Sequence, residues 1–232
     1  GEAAGQHRQE SMTFSIVARD EATGELGVAV AAGQPAIGAL VPHGFSQIGV
    51  LASQGLPNPL YGPQGLAQLG SGVNAACTLE RLLNADKARA GRQLIILDRF
   101  GRTAAWTGAD CDGYAGHLRA DQVAVAGSFL AGHGVLQGMM NSWLKSQGKP
   151  LAKRLMLALL AAELMLSAII WLSGHQATLL SQQGSRLART SFASGLWCSG
   201  ALILLLITDQ VRQLTRHRLA QLLLNLQVWL LP

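Results

Sequence analysis

From Thr13 to Arg19 apolar and polar-facing positions alternate, with Phe14, Ile16 and Ala18 on one side and Thr13, Ser15, Val17 and Arg19 on the other. This period of two is that of a strand. Asp20-Glu21-Ala22-Thr23-Gly24 reads as a turn, and Leu26–Ala31 as the returning strand of a hairpin. Arg92–Leu97 and Arg102–Thr107, separated by Asp98-Arg99-Phe100-Gly101, repeat the arrangement. Strands that come as hairpins, and not alternating with helices, exclude a doubly wound parallel sheet and predict antiparallel sheets covered by helices. Further strands are expected at Ile37–Val41, Gln47–Ala52 and Gln122–Ala126. Helices are expected at Gln64–Leu69, from Asn74 as cap to Asn84, and at Val135–Lys145. The Pro- and Gly-rich run from Gly55 to Gly65 reads as loop. Phe14, Ile16, Val28, Val30, Ile95, Leu97 and Val125 are the expected buried strand residues of two stacked sheets.

The composition changes near Pro150. Up to Lys149 basic and acidic residues balance at eleven each; beyond it seven basic residues face only Glu163 and Asp209, so the net charge of +5 belongs to the last third. Residues 151–231 also contain twenty-four leucines and no proline. The expected organisation is a polar extension over 1–11, a domain over 12–149, and a leucine-rich, mainly helical segment over 150–232. Leu155–Leu172 is broken by Glu163, with Ser167 and Ser173 towards its end, and a carboxylate in mid-span costs about 2.5–3.5 kcal/mol in a bilayer. A buried amphipathic helix is the preferred account, with membrane contact by the C-terminal third as its rival. Arginines scattered among leucines without interleaved aromatics argue against nucleic acid. Cys77, Cys111 and Cys198, with no C-x-x-C, form neither a disulfide framework nor a local zinc site, and the expected compartment is the cytoplasm.

Motifs for nucleophile elbows, zincins and phosphate-binding loops are absent. No metal and no organic cofactor is expected. Among the histidines, His117 lies in a stretch dense in polar groups (Thr107, Asp110, Cys111, Asp112). Thr13 follows Met12, and a threonine at a chain terminus carries its own base. Its α-amine, with a reference pKa near 8, accepts the hydroxyl proton directly or through water.

Seven segments fall in order: TFSIVARD at Thr13–Asp20, TGELGVAVA at Thr23–Ala31, PAIGALVP at Pro35–Pro42, NPLYGPQGL at Asn58–Leu66, LERLLNAD at Leu79–Asp86, FGRTAAWTG at Phe100–Gly108, and Cys111 with AGH at Ala115–His117. Together they resemble the bacterial domain-of-unknown-function 1028 family over about residues 13–164. That resemblance implies an α+β fold, the four-layer αββα sandwich of N-terminal-nucleophile hydrolases. It implies an amidohydrolase in which Thr13 is nucleophile and base wherever it is the terminal residue. Ser15, Arg19, Asn58, Cys111, His117 and Ser128 are the implied pocket candidates, and the implied partner is a small-molecule or peptide amide, in a chain compatible with homo-oligomers. The family's Ser-plus-basic pair after the second strand is here Ala32-Gly33, and its Gly-Asn is Gly127-Ser128. These departures imply the alternative, an inactive sandwich that serves as a binding or interaction protein.

Overall fold

A computed structural model describes residues 12–33, 37–180 and 226–231. The expected extension over 1–11 and most of the leucine-rich tail beyond residue 180, with Cys198, lie outside the described residues. The strands are β1 (Thr13–Arg19), β2 (Leu26–Ala32), β3 (Pro42–Phe45), β4 (Gly49–Gly55), β5 (Arg92–Asp98), β6 (Thr103–Thr107), β7 (Tyr114–Ala120), β8 (Val123–Leu130) and β9 (Leu226–Leu231). The helices are α1 (Tyr61–Gly70), α2 (Ala75–Ala85), α3 (His133–Lys145) and α4 (Leu151–Leu180). The fold is mixed α+β with two antiparallel sheets. One has the order β7-β8-β1-β2-β9, the other β3-β4-β5-β6.

Alternation along the strands divides the core into three layers of contact. Val17, Val28, Val30, Val50, Ala52, Ile95, Leu97, Ala124 and Ala126 fill the space between the two sheets. Phe14, Ile16, Ala18, Ala29 and Val125 face the other way and pack against α3 and α4 through Leu136, Met139, Trp143, Leu155 and Leu159. On the far side Leu51, Leu94 and Ile96 meet Tyr61, Leu69, Leu82 and Leu83 of α1 and α2. All seven strand residues expected in the core are 0–2% exposed.

Asn74 caps α2, its side chain accepting from the Cys77 N–H at 2.9 Å, as the sequence predicts. Elsewhere the structure corrects the expected elements. Ile37–Ala39 is a short 3-10 turn and the strand begins only at Pro42. Helix α1 starts at Tyr61, inside the run expected to be loop, because Pro63 falls in its first turn, where a backbone N–H has no helical acceptor to lose. The stretch containing His117 is a strand, β7, paired with β8.

Helix α4 continues the core beyond Pro150. Leu151, Leu155, Ala158, Leu159, Ala162 and Leu166 form a buried stripe at helical spacing on the same cluster as β1. Gly27 of β2 makes this approach close, since a Cβ there would stand 2.6 Å from Leu155 Cδ1. Arg154 adds a polar anchor: its guanidinium stacks 3.5 Å from the centre of the Trp143 ring and lies 3.6 Å from the Asp20 carboxylate. Strand β9 pairs antiparallel with β2, Leu226 opposite Ala31 and Leu231 opposite Leu26. Helix α4 runs on to Leu180.

Candidate functional site

β1 is the central strand of its sheet, and Thr13 opens it. Its register partners are Ala32 of β2 and Ser128 of β8, and alternation with Val17 turns its side chain toward the second sheet. Thr13 is 6% exposed and Ser128 5%. Ser128 stands at a bulge: between the pairs Tyr114–Leu130 and Gly116–Gly127, β7 has one residue and β8 has two. Phe129 takes up the irregularity with φ 56°, and its N–H donates to the Asp112 carbonyl at 2.9 Å. Such bulges bend a strand end and re-aim its side chains.

Beneath this end of β1 the second sheet places polar side chains where the rest of the layer is aliphatic. Gln54 and Gln93 are register partners on β4 and β5, 1% and 0% exposed. The Gln93 amide nitrogen donates to the carbonyls of Gly116 and Gly127, at 2.9 and 3.0 Å, and to Thr107 Oγ1 at 2.9 Å. A carbonyl only accepts, so these contacts fix which way the Gln93 amide faces. Its oxygen then receives the Gln54 amide N–H at 2.6 Å. Thr107 Oγ1 in turn lies 2.8 Å from His117 Nδ1, a hydrogen bond that joins β6 to β7. Burial, with the Arg119 charge adding to it, lowers the His117 pKa.

Of the residues singled out in the sequence, Thr13, Ser15, His117 and Ser128 share this end of the inter-sheet layer. Cys111 stands at its margin, its Sγ 3.5 Å from the Arg92 carbonyl and close to Gly55. Arg19 is not brought there. It ends β1, roughly 20 Å along the strand, where its guanidinium donates to Gln122 Oε1 at 3.2 Å. Asn58 belongs to a separate cluster, donating to Asp86 Oδ2 at 3.1 Å beside Tyr61 Oη at 2.9 Å and Arg92 Nε at 3.0 Å. Burial alone would raise the Asp86 pKa, but the Ala88 N–H and these three donors outweigh it and bring it down to about 2. Arg92 also donates to the carbonyls of Leu56 and Pro57, so the cluster pins the loop that follows Gln54 and Gly55. Gln54 and Gln93 escape a reading of the sequence, although each is a polar residue where β4 and β5 would otherwise continue an inward apolar face.

No group of three or more metal-ligating side chains is assembled among the described residues. A surface groove of about 310 Å³ between α3 and α4, lined by Asn141, Ser142, Lys145, Lys149 and Leu157 among others, shares no residue with the Thr13 end.

A family model described as "Family of unknown function (DUF1028)" matches residues 13–165. The chain belongs to the DUF1028 family. Within it, the crystal structure of protein SPO2555 from Silicibacter pomeroyi, a DUF1028 protein, is 33% identical in sequence to this chain, with a TM-score of 0.63. The similarity covers 66% of this chain and 70% of that one. A second model, "ABC transporter permease YehY, N-terminal domain", matches residues 131–232 and so overlaps the DUF1028 region by way of α3 and α4. No curated protein matches. Among the described residues of this DUF1028 protein, no helix is long and apolar enough to cross a membrane.

Proposed function

We propose that this DUF1028 protein is an amidohydrolase on the four-layer αββα sandwich of N-terminal-nucleophile hydrolases, with Thr13 as nucleophile. The observation that carries the reading is the place of Thr13: first residue of the central strand, side chain turned into the polar end between the sheets, Ser128 beside it. In a chain whose first residue is Thr13, the α-amine takes the hydroxyl proton as Oγ1 attacks the amide carbonyl. The departing amine receives that proton and leaves an ester on Thr13. Water then cleaves the ester, releasing the acid and restoring the hydroxyl. The chemistry needs neither metal nor organic cofactor, and its substrate is a small-molecule or peptide amide.

The test is a chain cut to begin at Thr13, verified by intact mass, against a panel of chromogenic amides and esters. Turnover with a transient acyl adduct on Thr13 is expected, lost in Thr13→Ala with an unchanged circular dichroism spectrum and partly kept in Thr13→Ser. Full activity in Thr13→Ala, or in the chain that retains Met12, overturns the reading.

One observation favours the alternative of a non-catalytic binding or interaction protein. The Met12 carbonyl accepts from the Gly33 N–H at 3.0 Å, so main-chain pairing runs on past Thr13, and Ala32 and Gly33 bring no cation to it. In that reading the C-terminal third, similar to a permease domain, supplies a contact with a membrane.

A further inference from the structure

We propose that Ser15 Oγ and Gln54 Oε1 together bind one internal water molecule between β1 and β4, beneath Thr13. Both atoms are buried without a hydrogen-bond partner, on residues 0% and 1% exposed. Buried polar atoms in native proteins are satisfied by protein or by ordered water.

The orientation of Gln54 follows from the main chain. The carbonyls of Gly116 and Gly127 hold the Gln93 amide nitrogen, Gln93 Oε1 therefore faces Gln54, and Gln54 must meet it with its own nitrogen. Gln54 Oε1 is left as an acceptor that cannot be exchanged for a donor by turning the amide over.

Register within each sheet, and the Gln93–Gly127 contact between them, put the two residues at the same end of the inter-sheet layer. Gln93 reaches Gly127, Gly127 is the partner of Phe14, and the β1 side chains flanking Phe14 on the inter-sheet face are Thr13 and Ser15. Gln54 is the neighbour of Gln93 on β4, the strand that packs across from β1. Among the described residues, the other polar side chains on this end of the layer are those of Thr13, Thr107, Gln93, Ser128 and His117, with no carboxylate, lysine or arginine among them to hold an ion. A water satisfies the pair by donating one hydrogen to Gln54 Oε1 and bonding Ser15 Oγ, which donates or accepts.

A crystal structure of the full chain at a resolution that shows ordered water is expected to hold one peak within hydrogen-bond distance of both atoms. In Ser15→Ala that peak should weaken or vanish while the Gln54–Gln93 contact stays. In solution, the Gln54 side-chain amide protons of the unaltered chain should show dipolar cross-peaks to a long-lived water. A map in which Ser15 Oγ bonds Gln54 Oε1 directly, or in which neither atom has a water, overturns the proposal, as does the absence of those cross-peaks.

Discussion

Across the gap between the two sheets, the side-chain amide of Gln93 donates to the main-chain carbonyl of Gly127 at 3.0 Å. One side chain thus ties β5 to β8 while also holding Gln54, Thr107 and the Gly116 carbonyl. Gln93→Leu keeps the volume and leaves these buried groups unpaired, so a loss of about 2–4 kcal/mol is expected. Urea denaturation of the two proteins measures it.

The Asp86 carboxyl, brought down to about 2 in the folded chain, has an ordinary value near 3.9 when unfolded. A depressed folded value contributes stability that is complete above the unfolded value and disappears as pH falls through the folded one. The native protein should therefore lose about 2 kcal/mol between pH 5 and pH 2 that Asp86→Asn does not lose over the same interval. Denaturant midpoints at a series of pH values show whether the two curves converge in acid.

Arg154 has a different place, between Trp143 and Asp20 at the end remote from Thr13. Arg154→Met keeps the apolar stem and removes both the ring stack and the ion pair, for an expected loss of about 1–3 kcal/mol. A double-mutant cycle with Asp20→Asn isolates the ionic part, and a coupling indistinguishable from zero would assign the whole effect to Trp143.

Truncation after Lys149 removes Leu151, Leu155, Leu159 and Leu166 from the cluster they share with Phe14 and Ile16. Each fully buried leucine contributes about 2 kcal/mol, which together rival the stability of a whole domain. The truncated chain should be insoluble or melt without cooperativity. A soluble product melting like the full chain would contradict the packing of α4 on β1 and β2.

Where local pattern decides structure, it was legible. Phe14 and Ile16 alternate with Ser15 and Val17 and are split between two core layers as alternation requires, and Asn74 caps the helix it precedes. β7 was hidden because Gly116, His117 and Arg119 give it no apolar period, and its strand form comes from pairing with β8. Ile37–Val41 misled in the other direction, for Ile37 and Val41 are buried beside β2 and β4 without a ladder of their own. In the site, Thr13 was marked by its chemistry and by resemblance. Gln54 and Gln93 lie thirty-nine positions apart and acquire meaning only when register sets them side by side. Arg19 shares the face of Thr13 on β1, yet a strand separates what its alternation unites.

The pairing of β2 with β9 sets an order on the birth of this sheet. β1 meets β2 across a six-residue turn and can form as soon as both have been synthesised, but Leu26 must wait for Leu231. Until then β2 carries a row of unmatched amides and carbonyls, the kind of edge on which nascent chains pair with one another. Closing so long a loop costs entropy before any contact repays it. Slow final folding, with a premium on low concentration or on a chaperone during synthesis, is the kinetic consequence of a sheet whose outermost strand is made last.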